Sequence, residues 1–448
     1  MKRPCIITLL LILLSTGLAS CSPGHLGGNE IAFVRDGRLW TIDPDGSNAF
    51  EVVSDGPAVI GYELSANHQI FVFRTLDGSF ANTAAGKHVA SNPVTGLTKD
   101  VPSALNTVGI DGGSPIPITF SSSGLQRSNA WWNPTGNRLL YREESDAPTH
   151  YPGSVSWWVS QNDQPEGIAR KSLPYSFSIP SMSANNSWAI GNGEQGVFTT
   201  TLAGTQFQFV MQGMLPGHPL PAALERVLWQ PAHQNPAILY AIVTASAKSQ
   251  SPGPASSSIQ LVLRDAHGQT TTLTACGCTQ FAWSPDGNSA LYSTGTTYTI
   301  LNIKDHSSFS VPGEDGSVPY WSPDSQFILL DGSHTLRLIS IARQQQLQLL
   351  NDAEATVGTG TVSTAITDAH ALLQPISNST WASDSRHFLF LTRGRLLWQG
   401  KSLSPGGGLY TVSIDEHGQV QVSPTVVDTG NDSLAAWTYE DPNTSFLF

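Results

Sequence analysis

The stretch FAWSPDGNSALY, residues 281–292, combines an aromatic pair, a Ser-Pro-Asp-Gly quartet and a short apolar run. In the quartet Ser284-Pro285-Asp286-Gly287, proline has the fixed φ that the second position of a type I turn requires, and Asp and Gly suit the third and fourth positions. Trp283 precedes the turn, and the alternating apolar residues of SALY follow it. The pattern therefore predicts a hairpin in which Trp283 ends the first strand.

The same shape recurs along the chain at irregular intervals. PYWSPDSQFILL (319–330) contains Trp321, Ser322, Pro323 and Asp324, and AWWNPTGNRLLY (130–141) keeps the turn with other residues. Because the turn survives without its Asp, a structural role is favoured over a catalytic one. The weaker copies are GYELSANHQIFVF (61–73), PSMSANNSWAIG (180–191), VLWQPAHQNPAILY (227–240), STWASDSRHFLFL (379–391) and AAWTYEDPNTSFLF (435–448).

Each copy is followed by enough sequence for a unit of about four strands. An apolar and aromatic strand such as TYTILNIKD (297–305) comes next in most copies, and a shorter strand such as TTTLTA (270–275) precedes the following copy. Four strands are the size of a propeller blade. We therefore expect an all-β fold, a single β-propeller of four-stranded antiparallel blades. Eight copies predict eight blades, and seven if the copy at 180–191 is a decoration.

The WSPDG motif followed by an apolar strand resembles the repeat of TolB-like (WD40-like) β-propellers. EIAFVRDGRLWTIDPDGSNAFEVV (30–53) resembles the second, third and fourth strands of that repeat. The chain begins without a first strand and ends with a first-strand motif, LAAWT (434–438). The C-terminal strand is therefore expected to join the N-terminal blade and close the ring. The resemblance is specific for the fold and says little about function.

The N-terminus has the pattern of a bacterial lipoprotein signal peptide. A basic head, MKRP, and the apolar segment CIITLLLILLSTGLA lead to LASC, which ends at Cys21 and resembles a lipobox. This predicts a signal peptide at 1–20, lipidation of Cys21, a short lipidated linker at 21–29 and the propeller domain at 30–448. The alternative is an ordinary secretory signal with a chance Cys. Anchoring implies an extracytoplasmic site, on the outer face of the cell membrane or, since Ser22 follows the Cys, the outer membrane of a two-membrane cell.

Cysteines and charge limit the remaining chemistry. Cys276 and Cys278 of ACGC remain in the body of the protein and can form a tight disulfide in an oxidising compartment. They can also be half of a metal site, although no Cys or His pair elsewhere has the matching spacing. The net charge is −12 and the basic residues are scattered, which argues against a nucleic-acid partner.

No catalytic constellation is evident, and no cofactor or metal is predicted. GNGEQG (191–196) matches a dinucleotide motif but leads into a strand, which predicts a hairpin. Asp43 and Asp45 lack the third ligand and the closing Glu of a calcium loop. The doublets Trp131–Trp132 and Trp157–Trp158 are interpreted as core between blades, with an aromatic platform at the channel mouth as the alternative.

Two segments depart from the repeat. Asp77 to Gln126 is expected to be a long loop over one rim, with PIPITF (115–120) as the last strand of its blade, and TASAKSQSPGPASSS (244–258) is a second such loop. Either can be functional or neutral. The sequence favours a non-catalytic, lipid-anchored cell-envelope propeller that binds a protein or another envelope component. The alternative is an envelope hydrolase or lyase with acidic residues converging at the channel.

Overall fold

The computed structural model describes most of the chain after residue 29. The described residues are 30–65, 69–92, 100–132, 138–145, 155–161, 171–172, 181–183, 188–193, 196–201, 207–212, 227–231, 236–245, 257–276, 280–314, 317–332, 335–351, 380–392, 397–398, 401–403, 408–430 and 432–438. Residues 1–29, with the predicted signal peptide and Cys21, lie outside them, as do Cys278 and the final residues 439–448.

Strands dominate the described part. In the first third of the chain they are β1 (Ile31–Arg35), β2 (Arg38–Ile42), β3 (Phe50–Val53), β4 (Val59–Leu64), β5 (Ile70–Leu76), β6 (Val101–Gly109), β7 (Gly112–Pro117), β8 (Leu125–Trp132), β9 (Arg138–Ser145), β10 (Val155–Gln161) and β11 (Lys171–Ser172). In the second third they are β12 (Ser181–Met182), β13 (Trp188–Gly193), β14 (Gly196–Thr201), β15 (Phe207–Gln212), β16 (Val227–Trp229), β17 (Ile238–Ala245), β18 (Ser257–Arg264), β19 (Thr270–Cys276), β20 (Gln280–Trp283), β21 (Ser289–Ser293) and β22 (Thr297–Asn302). The last are β23 (Ser308–Pro312), β24 (Val318–Trp321), β25 (Phe327–Asp331), β26 (Thr335–Ser340), β27 (Gln345–Asn351), β28 (His387–Thr392), β29 (Leu397–Trp398), β30 (Lys401–Ser402), β31 (Gly408–Ser413), β32 (Thr425–Asp428) and β33 (Asp432–Trp437).

These strands form antiparallel groups, most of them of four strands, which we call units 1 to 8. Unit 1 has the order β3-β2-β1-β33, and units 4, 5 and 6 are β12–β15, β16–β19 and β20–β23. Units 2 (β4–β7) and 3 (β8–β11) are joined into one sheet because β6 also pairs with β8. Unit 7 (β24–β27) carries β29 and β30 on its edge, and unit 8 is β28, β31 and β32 with a bridge from Trp381 to Phe388. The architecture is that of a multi-blade β-propeller, as the repeat predicted.

Apolar side chains join neighbouring units face to face. One buried cluster combines Tyr320 and Phe327 of unit 7 with Trp381 and Phe388 of unit 8. Comparable clusters join unit 5 to unit 6, unit 6 to unit 7, unit 8 to unit 1, unit 1 to unit 2 and unit 2 to unit 3. Alternate residues of each strand point to opposite faces, so strands packed on both sides read as nearly continuous apolar runs. The number of blades and the closure of the ring stay predictions.

The C-terminal strand pairs with the N-terminal unit. β33 lies antiparallel to β1, with Ile31 opposite Trp437. Trp437 is buried in the cluster between units 8 and 1, beside Phe33 and Leu389. Trp437 therefore packs between unit 1 and the neighbouring unit 8.

The expectation of a long loop from Asp77 to Gln126 was wrong, although the PIPITF part of it was partly right, because β7 (Gly112–Pro117) is the last strand of unit 2. The segment contains two helices, α1 (Gly78–Ala81) and α2 (Ala84–Ser91), followed by β6 and β7. Asp77 caps α1, because its carboxylate accepts hydrogen bonds from the backbone N–H groups of Ser79 and Phe80. β6 forms because VPSALNTVG buries most of its side chains between units. The second expected loop, 244–258, lies largely outside the described residues, although its ends belong to β17 and β18.

Candidate functional site

Each unit has two different edges. Because neighbouring strands are antiparallel, the turns between the first and second strands share one edge with those between the third and fourth. We call this the turn edge. The connections between the second and third strands, and those between units, lie at the opposite edge, which we call the connection edge. The SPDG turns belong to the turn edge, whereas α1 and α2, between β5 and β6, belong to the connection edge.

The predicted turn at residues 284–287 is confirmed as the hairpin between β20 and β21. The N–H of Gly287 donates to the carbonyl of Ser284 at 2.8 Å, and Trp283 pairs with Ala290 across the hairpin. The Ser284 hydroxyl accepts from the N–H of Ser289 at 2.9 Å. Trp321, Ser322, Pro323 and Asp324 occupy the same places between β24 and β25, where Ser322 makes the matching bond to Phe327 at 2.9 Å.

These turns also join successive units. The N–H of Asp286 donates to the hydroxyl of Ser325 in unit 7 at 3.0 Å, and the N–H of Asp324 donates to Ser385 in unit 8 at 2.9 Å. Ser325 and Ser385 hold the fourth turn position in the left-handed conformation, with φ of 61° and 58°, where Gly287 has 69°. The second serine of SPDS, Ser325, therefore adopts a backbone conformation that favours glycine, and its hydroxyl accepts a hydrogen bond from the neighbouring unit.

The Asp286 carboxylate accepts hydrogen bonds from groups of its own turn. Burial would raise the pKa of Asp286, but hydrogen bonds from Ser284, Asn288 and Ser325 outweigh it and hold that pKa below its ordinary value. A carboxylate that is ionised and saturated with local donors is suited to fixing a turn and poorly suited to proton transfer. This supports the structural interpretation of the motif.

The tryptophan before the turn makes a second contact between units. The indole N–H of Trp283 donates to the carbonyl of Leu228 in unit 5, and that of Trp381 donates to the carbonyl of Tyr320 in unit 7 at 3.1 Å. Trp132 does the same toward Glu63 of unit 2. Trp132 is fully buried and Trp158 packs against the same cluster, which agrees with core between units; the side chain of Trp157 lies outside the described part.

The side chains of the predicted cysteine sites lie outside the described part of the chain. Cys276 ends β19, but its side chain, like Cys278, lies outside the described part of the chain, so the disulfide stays a prediction. Lipidation of Cys21 stays a prediction for the same reason. The described residues of GNGEQG, 191–193 and Gly196, lie at the facing ends of β13 and β14, which pair antiparallel, as expected.

Buried charge collects on the connection edge where units 2 and 3 meet, at a site that sequence reasoning missed. Arg127 of β8 is fully buried, and its Nε lies 2.9 Å from the carboxylate of Glu143 on β9. Its Nη1 donates to the carbonyls of Ser103 and Phe120. The Arg127 guanidinium thus contacts the start of β6, the residues that follow β7, and β9. We call this site the junction.

A second ion pair lies beside the first. Arg142 contacts Asp100 at 2.6 Å, and the same carboxylate lies near Arg74, which is completely buried in β5. Burial lowers the pKa of Arg74 to about 10, and the charge of Asp100 offsets part of this effect. Arg142 and Glu143 are adjacent on β9 and point to opposite faces. The Arg142–Asp100 and Arg127–Glu143 pairs therefore lie on opposite faces of the joined sheet.

The helical insertion is fixed onto the junction. The carboxylate of Asp77 accepts from the hydroxyl of Ser121 at 2.5 Å in addition to its capping bonds. Burial would raise the pKa of Asp77, but the bonds from Ser121, Ser79 and Phe80 lower it overall. Gly86 of α2 lies so close to α1 that a Cβ there would stand 2.0 Å from the carbonyl oxygen of Phe80. The insertion is therefore a fixed structure and its exposed surface is preformed.

The carboxylates of the junction hold structure and do not converge for chemistry. Asp100 and Glu143 face arginines, and Asp77 faces N–H and hydroxyl donors. Among the described residues, no group of three or more His, Cys, Asp or Glu is placed to hold a metal ion. No sequence motif announces the junction, because its partners come together only through the register of β6, β8 and β9. In the described part, no helix is long and apolar enough to cross a membrane.

Comparison with known proteins found similar solved structures and nothing closer. No family model and no curated protein sequence matches the chain. A eukaryotic initiation factor has a TM-score of 0.48 at 11% identity, over 92% of this chain and 98% of that one. An oligogalacturonate lyase in complex with manganese has a TM-score of 0.44 at 12% identity, over 65% and 78%. A TolB from Agrobacterium tumefaciens has a TM-score of 0.31 at 13% identity, over 55% and 77%. With similarity this low, the functions of these proteins are not transferred to the chain.

Proposed function

We propose that the protein is a non-catalytic, lipid-anchored β-propeller of the bacterial cell envelope that binds a protein or another envelope component. The carrying observation is the junction. Its two ion pairs, of which the Arg127–Glu143 pair is buried, and the capped helices α1 and α2 hold the described residues 77–92 and 100–126, outside the repeat, in place. Binding surfaces are commonly loops held by a rigid scaffold, and a preformed surface loses little entropy when a partner binds.

Capture from detergent-solubilised envelope, with the form from Ser22 to Phe448 as bait, tests the binding role. Ala85→Arg places a long charged side chain on the exposed face of α2, and Ser308→Arg places the same side chain on exposed β23, far along the chain. We expect the wild type and Ser308→Arg to retain the same component and Ala85→Arg to lose it. Retention by all three proteins would mean that the exposed face of α2 is not part of the binding surface. Capture of nothing beyond the resin control would contradict the binding role.

Anchoring is tested by Cys21→Ser. The lipid is attached through the Cys21 sulfur, and several acyl chains make a stable anchor. The variant should leave the membrane fraction or remain unprocessed, as judged by fractionation and gel mobility. A Cys21→Ser protein that stays membrane-bound with normal mobility would contradict the lipoprotein assignment and leave the binding role untouched.

A further inference from the structure

The turn edges of units 5 to 8 are in direct contact with one another. Gln230, in the turn between β16 and β17, donates its side-chain amide to the carbonyl of Gly287 in unit 6 at 2.8 Å. The bond from Asp286 to unit 7 and the bond from Asp324 to unit 8 continue the series. The turns of these four units therefore lie side by side on one surface.

The same surface continues through unit 1 to unit 2. Gly46, in the turn between β2 and β3, lies so close to unit 8 that a Cβ there would stand 2.5 Å from the carbonyl oxygen of Val427. Gly112 follows the turn between β6 and β7, and a Cβ there would stand 3.1 Å from the ring of Phe50 at the start of β3. We call the surface formed by the turn edges of units 5, 6, 7, 8, 1 and 2 the turn face.

The N-terminal strand begins at the turn face. Glu30 is buried there, and its carbonyl accepts from the N–H of Thr438 at 2.8 Å. From Ile31 the strand β1 runs to Arg35 at the connection edge, where the chain turns into β2. The residues that precede Glu30 therefore join the folded part of the protein at the turn face.

The distance from this point to the predicted lipid is short. Eight residues, 22–29, separate Cys21 from Glu30, and a chain of this length spans no more than about 30 Å when fully extended. β1 is flanked by β33 and β2. To reach the connection edge, the linker would have to pass at least one of these strands and then run the height of a unit, about 27 Å along β6. That path uses the whole reach of the linker.

The helices α1 and α2 lie on the connection edge and increase this distance. Val89 of α2 packs on Ile60, Leu76 and Val101, which belong to the ends of β4, β5 and β6 at that edge. The exposed face of α2, with Ala85, points away from these strands. A membrane that holds Cys21 is therefore out of reach of this face.

Charge prevents the turn face from adhering to anionic lipid by itself. Hydrogen bonds from Ser47 lower the pKa of Asp45, and hydrogen bonds from Ser307 lower that of Asp305. Both carboxylates are exposed in turns between the third and fourth strands of their units, and both are ionised at neutral pH. Anionic headgroups repel such groups. The covalent lipid is therefore what brings the turn face to the membrane.

We infer that the protein stands with its turn face toward the anchoring membrane, so that α2 and the junction face the aqueous compartment. The inference rests on the proposed lipid anchor and specifies how the proposed binding surface is presented. Its partner approaches from the side away from the anchoring membrane, and the headgroups of that membrane do not reach α2. An inverted protein and a protein lying on its outer strands are the other outcomes of the test.

The test compares two labels at opposite ends of β6. Asp111→Cys lies in the turn between β6 and β7, Ala85→Cys lies on α2, and both positions are exposed. The full-length lipidated protein is labelled with a donor fluorophore and incorporated into phosphatidylcholine vesicles whose headgroups carry the acceptor. The wild type, labelled in parallel, gives the signal of Cys276 and Cys278, which is subtracted. A third protein carries twenty additional Gly and Ser residues after Gly28, which removes the limit on reach.

We expect stronger energy transfer from Asp111→Cys than from Ala85→Cys, with distances to the headgroups that differ by about 27 Å, the length of β6. The difference should disappear with the extended linker. Equal transfer from the two labels, stronger transfer from Ala85→Cys, or a difference that persists with the extended linker would each overturn the inference.

The form from Ser22 to Phe448 without lipid should not float with vesicles that contain anionic phospholipid. Flotation of this form would mean that another surface contacts the membrane, and would also overturn the inference. If the full-length protein fails to float with any vesicle, the lipid anchor and the orientation both fail. The capture assay with Ala85→Arg then still decides the binding function, because it does not depend on the anchor.

Discussion

Thr438 and Glu30 lie 408 residues apart and exchange the same hydrogen bonds that Ser284 and Ser289 exchange within one hairpin. The N–H of Thr438 donates to the carbonyl of Glu30 at 2.8 Å, its hydroxyl accepts from the N–H of Glu30 at 3.2 Å, and that hydroxyl also donates to the same carbonyl. Ser284 makes all three bonds with Ser289. β33 and β1 thus make the hydrogen bonds of a hairpin, although they come from distant parts of the chain.

Thr438→Val tests whether this contact carries stability. The change keeps the shape of the side chain and removes the hydroxyl, which leaves a buried N–H without its acceptor. Ser322→Ala removes the equivalent hydroxyl from an ordinary hairpin and is the matched control. Both variants should lower the free energy of unfolding by about 1 kcal/mol in urea titrations. If Thr438→Val leaves the free energy of unfolding unchanged while Ser322→Ala lowers it, the C-terminal strand is not part of the cooperative fold.

Local sequence chemistry and tertiary register explain what could and could not be predicted. The turn at Ser284 to Gly287 and its copy at Ser322 were predictable because each turn is encoded by four adjacent residues. The contact of Asp286 with Ser325 was not, because nothing in either turn specifies which turn lies beside it. The capping residue Asp77 was present in the sequence, but so short a helix gives almost no periodic signal.

The junction shows the same limit more strongly. Arg127 and Glu143 meet only because β8 and β9 pair with those residues directly opposite each other. Asp100 reaches Arg142 only because β6 joins units 2 and 3 into one sheet. Since a shift of one residue would turn each side chain to the other face, these pairs follow from register and not from composition.

Asp286→Asn should weaken the fold without affecting binding. The variant keeps the shape of the side chain but loses the charge that accepts from Ser284 and Asn288, so we expect a loss of about 1 kcal/mol at neutral pH. The folded pKa is below the ordinary value, so the contribution of Asp286 is complete above the ordinary carboxyl pKa of about 3.9 and is lost as the pH falls through the folded value.

Urea midpoints of wild type and Asp286→Asn, measured from about pH 6 to about pH 3, check this sign, because the difference between them should shrink at low pH. A difference that grows on acidification would contradict the assignment. A fully folded Asp286→Asn protein that no longer binds its envelope component would show that the turn has a role beyond structure.

Arg35 ties the connection between units 8 and 1 to the N-terminal strand. Its guanidinium contacts Asp428 at the end of β32 and lies 2.8 Å from Asp432 at the start of β33, while Gly430 lies directly beneath it. Arg35→Leu leaves the buried carboxylate of Asp432 without its cation, so we expect a loss of about 3 kcal/mol at neutral pH. Asp432→Asn should cost less, since Arg35 keeps Asp428.

The pH dependence of Arg35→Leu has the opposite sign to that of Asp286. Burial raises the pKa of Asp432, and Arg35 offsets only part of that effect. A folded pKa above the unfolded value means that stability falls as the pH rises from the unfolded value through the folded value. Without Arg35 the folded pKa of Asp432 lies further above its unfolded value. Arg35→Leu should therefore regain stability when the pH is lowered from about 7 to about 5. A deficit that is constant over this range would contradict the pairing.

Trp283→Phe and Trp321→Phe separate the hydrogen bond between units from the packing of the ring. Both tryptophans end the first strand of their unit and both are buried, but only Trp283 donates to the preceding unit, at Leu228. The indole N–H of Trp321 has no hydrogen-bond partner among the described residues.

The two substitutions, Trp283→Phe and Trp321→Phe, remove the same ring atoms, so their packing losses should be similar. Trp283→Phe also removes the hydrogen bond from the indole to the Leu228 carbonyl, whereas Trp321→Phe removes a buried donor that has no acceptor among the described residues. We therefore expect Trp283→Phe to be the more destabilising by about 1 kcal/mol in thermal or urea unfolding. Equal losses would mean that the indole contact between units contributes no stability, and that the tryptophan repeat acts through packing alone.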